Sequence, residues 1–123
     1  MTLPMSPSSH RTAQSGQLAH AVCFWLRPDC PAGTAQAMLD FYRTEVAPLD
    51  GIVLVIAGTP RTATRDVVDD SYDLAVTTLF ASTAAEEAWQ SHPVHDRFRE
   101  RFGPWFARVL VHDTCVTWES RGN

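Results

Sequence analysis

The sequence predicts an α+β fold with strands and helices in the order βαββαβ. Three observations carry that expectation. Four apolar runs are rich in β-branched and aromatic residues, two stretches between them have helical spacing, and the second apolar run is hydrophobic on both of its alternating faces. Four strands with two helical stretches suit an antiparallel sheet covered on one side by helices, the ferredoxin-like plait.

The first strand is "LAHAVCFWL" (18–26), with His20, Val22 and Phe24 on one face and Ala21, Cys23 and Trp25 on the other. After the turn "PDCPAG", residues 34–47 place Ala37, Met38, Phe41, Tyr42 and Glu45 at helical spacing until Pro48 stops them. "GIVLVIAG" (51–58) is the second strand, flanked by glycines, and "TPRTATRDVVDDS" is a polar loop. "YDLAVTTLFAS" (72–82) is the third strand. In "TAAEEAWQS", Thr83 followed by Glu86 forms a capping-box pattern opening a helix. Pro93 clashes inside a helix but suits the first position of a new one, over 93–102, with Gly103 and Pro104 ending it. "ARVLVHDTCVTW" (107–118) is the last strand.

In the second strand Ile52, Leu54 and Ile56 alternate with Val53, Val55 and Ala57, yet helices can cover only one face of the sheet. The other face would expose a large apolar patch, so a homodimer pairing two such sheets is expected.

At 123 residues and 45% hydrophobic content the chain fits one domain, assigned to residues 18–118 with a short C-terminal tail over 119–123. The first seventeen residues, rich in Ser, Pro and Gln, read as a disordered tail without the apolar core of a secretory signal. The longest apolar run, "IVLVIAG", is far short of the roughly 20 residues that a membrane span needs. A soluble cytoplasmic protein with no membrane partner follows as the expectation.

Cys23, Cys30 and Cys115 show neither disulfide nor metal spacing. The net charge of −4, with no basic stripe, argues against nucleic acid. All ten basic residues are arginine, which removes lysine Schiff-base chemistry and a Walker-type phosphate loop. The aspartates 66, 69, 70 and 73 lack calcium-loop spacing and read as a solvated loop.

The histidines are the remaining carriers of chemistry. His10 lies in the tail. His92 and His95 have i, i+3 spacing, but Pro93 separates them and no third ligand is near in sequence, so no metal is expected. His92 stands at the cap position before Pro93, where its ring can bond a free backbone amide. His20 sits on an apolar strand face and must find a partner there or titrate low. His95 falls in the first turn of the 93–102 helix, whose dipole disfavours the imidazolium and keeps the ring neutral and basic.

"LAHAVCFWLRPD", "SYDLAVTTLFAS", "AWQSHPVHDRF" and "VLVHDTCV", in this order and spacing, resemble the stress-responsive dimeric α+β barrel family (Dabb). The most specific pieces are "WQSHPVH", the first-strand histidine and the Val-x-Asp near the end. The resemblance spans residues 18–117 and implies a ferredoxin-like subunit whose sheet pairs with a twin. It also brings in the plant polyketide cyclases, which close poly-β-ketones in a pocket between sheet and helices without cofactor or metal. By that resemblance the catalytic histidine falls on His95, the first-strand histidine on His20 and a pocket tyrosine on Tyr42. The cyclases' catalytic tyrosine falls on Trp89, and a third-strand histidine on Leu74. An indole N–H donates a hydrogen bond but cannot relay a proton as a phenol can. The pocket so implied is lined by Val22, Phe24, Met38, Val55 and Leu74, and suits an apolar or aromatic carbonyl compound as small-molecule ligand.

Three functions compete on this reading. One is a cofactor-independent acid/base enzyme of cyclase, isomerase or lyase type, with His95 as base and Tyr42 or Trp89 holding the enolate oxygen. The others are a non-catalytic ligand-binding or stress-associated dimer and a cofactor-free monooxygenase.

Overall fold

The computed structural model describes residues 16–120 and 122. The tail expected over residues 1–17, His10 included, therefore lies outside the described residues except for Gly16 and Gln17, and so do two positions of the expected C-terminal tail.

Among the described residues nine elements follow one another: β1 (Leu18–Leu26), α1 (Thr34–Phe41), a π-helical turn (Tyr42–Val46), β2 (Ile52–Gly58), β3 (Leu74–Phe80), α2 (Thr83–Gln90), α3 (Pro93–Phe102), a 3₁₀ turn (Gly103–Trp105) and β4 (Phe106–Cys115). The strands form one sheet in the order β2-β3-β1-β4, every neighbouring pair antiparallel. This is the ferredoxin-like arrangement. β1 and α3 have the bounds expected from sequence; β3 (74–80 against 72–82) and β4 (106–115 against 107–118) are shorter than expected.

The helix expected over 34–47 changes form at Tyr42. Its last turn is π-helical, with the Ala47 amide bonding the Tyr42 carbonyl five residues back at 2.9 Å. This wider turn keeps Phe41, Tyr42 and Val46 all buried. The α2 cap also differs from the expected capping box. Ser82, not Thr83, is the cap, its hydroxyl accepting from the Ala85 amide at 3.0 Å. That shift of one residue leaves the Glu86 carboxylate free of the cap, and it accepts from the Gln90 amide instead.

The core lies between the sheet and the helices. Leu18, His20, Val22 and Phe24 of β1 and Leu74, Val76, Thr78 and Phe80 of β3 are buried on the helix side. Met38, Phe41, Val46, Trp89, Val94, Phe98 and Phe102 close over them. Phe98 is the hub, with the rings of Phe24, Phe41, Tyr42, Phe102 and Phe106 centred 5.0–6.1 Å apart in this cluster.

The expected alternation of β2 holds only in part. A bulge between Ile52 and Leu54 sets Ile52 opposite Phe80 but Leu54 opposite Leu79. Ile52 therefore shares the helix side with Val55 and Ala57, while Leu54 and Ile56 lie on the opposite face and are 49% and 60% exposed. The same register places Ala75, Leu79, Cys23 and Leu110 on that face. An apolar sheet face is thus left open in the single chain. Among the described residues no helix is long and apolar enough to cross a membrane.

Candidate functional site

A cavity of about 350 Å³ opens between β1 and β4 on one side and the helices on the other. It gathers six of the residues singled out from sequence: His20, Val22 and Phe24 from β1, Tyr42 from the π-helical turn, Trp89 from α2 and His95 from α3. Gln90, Phe98, Arg99, Phe106, Val109 and Val111 complete the wall. Sequence reasoning missed the β4 contribution, since only the register pairing Phe24 with Val109 and Val22 with Val111 brings those valines beside β1.

Three residues expected here belong elsewhere. Met38 and Leu74 are wholly enclosed in the core, because the cavity lies over β1 and β4 whereas Leu74 sits on β3, on the other flank of β1. Val55 of β2 lines a separate space of about 290 Å³ beside α1, which shares only Tyr42 with the first.

His20 is buried, and its Nδ1 lies 2.6 Å from Asp113 Oδ1, across the β1–β4 pair where the two residues are register partners. This answers the need of an imidazole on an apolar strand for a polar partner. Glu86 approaches the same pair from α2. The ligand-type atoms of His20, Glu86 and Asp113 lie within 4.8 Å of one another. The 2.6 Å contact is a hydrogen-bond distance, shorter than the ~3.4 Å between ligands sharing a tetrahedral ion at ~2.1 Å bonds. In this geometry the trio is a hydrogen-bonded histidine–carboxylate pair with a second acid nearby.

His95 is the third residue of α3, packed edge-on to the Trp89 indole with ring centroids 4.8 Å apart. Its Nδ1 is buried with no hydrogen-bond partner among the described residues. Burial first, then the Arg99 guanidinium, hold its pKa below the usual imidazole range, against an opposing pull from Asp96. The neutral ring expected from the helix dipole is therefore favoured, with desolvation as the main cause. Burial pushes the Tyr42 phenol far up, so it is a protonated group at any physiological pH. His92 caps α3 as expected, its Nδ1 accepting from the Val94 amide at 3.0 Å, and is thereby spent on backbone.

The fold and the cavity together define a ferredoxin-like α+β protein with a histidine-lined pocket between sheet and helices. Residues 18–116 match the stress responsive A/B barrel domain, and the chain belongs to that family, Dabb. Among solved structures, a dimeric ferredoxin-like protein from Thermobifida fusca is similar at a TM-score of 0.68 and 16% identity, covering 83% of this chain and 92% of its own. A Dabb family protein from Mesorhizobium loti matches at 0.64 and 21%, covering 80% and 95%. The hydroxynitrile lyase of Passiflora edulis matches at 0.67 and 15%, covering 83% and 94%. Identities this low speak to the fold. No curated protein matches the chain.

Proposed function

We propose that the chain is a cofactor-independent acid/base enzyme acting on a small apolar or aromatic carbonyl compound or its adduct, with cyclisation, isomerisation or lyase chemistry within its reach. The observation that carries this reading is the convergence of two imidazoles, His20 and His95, on one aromatic-walled cavity. One ring is tied to a carboxylate and the other is desolvated, an arrangement that serves proton transfer better than it serves packing alone. The similarity to a hydroxynitrile lyase adds a concrete reaction to try, since releasing an aldehyde from its cyanohydrin needs a base for one hydroxyl proton and no cofactor.

The test is turnover by the purified chain, in chelator-treated buffer, of benzaldehyde cyanohydrin and of a β-triketone. Expected is release of benzaldehyde or enol-derived cyclised product above the buffer rate. Saturable binding of both compounds without turnover would replace this reading with that of a non-catalytic binding dimer, which the high-pKa Tyr42 and the indole at Trp89 favour.

The functional unit on this reading is a cytoplasmic homodimer. Exposed Leu54 and Ile56 on the open sheet face support it, since a patch of this kind is costly to leave in water. The Thermobifida relative is itself described as dimeric. Sedimentation at micromolar concentration should give a dimer, and Ile56→Asp, which sets a carboxylate into the paired faces twice by symmetry, should give monomer. A wild-type chain that sediments as a folded monomer would end the barrel reading.

A further inference from the structure

We infer that the two cavity histidines hold opposite tautomers and divide the chemistry: His20, oriented by Asp113, takes the substrate proton at Nε2, and His95 donates its Nε2–H to the substrate oxygen. This rests on the acid/base reading of the cavity and reassigns the roles within it, since sequence alone points to His95 as the base.

A carboxylate only accepts, so the 2.6 Å contact to Asp113 requires a proton on His20 Nδ1. In the neutral ring Nε2 is then a bare lone pair, on a residue that lines the cavity. His95 is the mirror case. Its Nδ1 is buried without a partner among the described residues, and a buried N–H lacking an acceptor is the costlier orphan. The single proton of its neutral ring therefore belongs on Nε2, making His95 a hydrogen-bond donor that has no proton to take up at that atom.

For a carbonyl substrate the step balances without any co-reactant. The α C–H bond breaks and its proton joins His20 Nε2, while the C–H pair becomes the enolate double bond and the carbonyl π pair moves to oxygen. His95 Nε2–H bonds that oxygen, and Asp113, a positioning residue, faces the imidazolium that forms. In cyclisation the enolate carbon then bonds a second carbonyl carbon of the substrate, whose π pair moves to its oxygen, and the His20 imidazolium returns its proton to that alkoxide; in isomerisation it returns the proton to carbon.

Nitrogen-15 NMR of the histidine rings in the full-length protein reads these tautomers without any substrate, with His20→Gln and His95→Gln assigning the signals. Expected are a protonated Nδ1 and bare Nε2 for His20, and the reverse for His95. Asp113→Asn offers an amide N–H to Nδ1, so the His20 proton should move to Nε2, with kcat falling about 10²–10⁴-fold and KM little changed. A bare or unchanged His20 Nδ1, a doubly protonated His20, or a protonated His95 Nδ1 would overturn the assignment even with turnover intact. The expected tautomers without turnover of any probe would instead sink the acid/base reading, and with it the division of catalytic roles.

Discussion

Phe98→Ala is expected to remove about 3–5 kcal/mol of folding stability, the range for truncating a buried phenylalanine whose site cannot collapse. Phe98 is 3% exposed and touches rings from β1, α1, the π-helical turn, α3 and β4, so its loss leaves a void bordered by four or more elements at once. No single neighbour can fill that void without leaving its own partners. Against a total of about 5–15 kcal/mol for a domain of this kind, the variant should be barely folded at body temperature. Urea denaturation followed by tryptophan fluorescence checks this. Phe98→Leu, which keeps most of the volume, should recover the greater part, and a Phe98→Ala midpoint close to that of the parent would show that the ring cluster does not anchor the fold.

The second large effect is on turnover. His20→Ala should lower kcat for a β-triketone or cyanohydrin by about 10²–10⁴-fold, the usual contribution of a positioned general base. His95→Ala should cost about 10²–10³-fold, the cost of losing one oxyanion donor. Because both act on one transition state, the double variant should be little worse than the poorer single one. Steady-state kinetics of the four proteins decides it. Multiplicative losses would mean that the two rings contribute independently rather than as a unit, and an unimpaired His20→Ala would leave His20 with only its hydrogen bond to Asp113 to explain it.

Much of the fold was legible because its punctuation is local. Pro93 opens α3 and the paired apolar faces of 18–26 mark β1, and both elements have the expected bounds. The β2 bulge was hidden for the opposite reason. Every residue from Ile52 to Ala57 is apolar, so a slip in alternation leaves no polar residue on the wrong face to betray it. The site divides the same way. His20, Trp89 and His95 could be named one by one, from an imidazole in an apolar strand and from a motif around Pro93, and Tyr42 from the family resemblance. Asp113 as the partner of His20 could not, because 93 residues separate them and only the β1–β4 register brings them together. Met38 and Leu74 were placed in the pocket because hydrophobic spacing says that a side chain faces inward, without saying whether it meets a cavity or solid core.

The β2 bulge has a bearing on how such sheets behave when crowded. β2 is an outer strand, and an outer strand normally presents an evenly spaced row of backbone donors and acceptors to any passing β-segment. The irregular step between Ile52 and Leu54 interrupts that row in the most hydrophobic strand of the chain. Strand-by-strand addition, which has no natural end and leads toward fibrils, is thus frustrated where the sequence is otherwise most prone to it. Contact through the flat of the sheet remains open to Leu54 and Ile56, and that contact is used up once two faces have met.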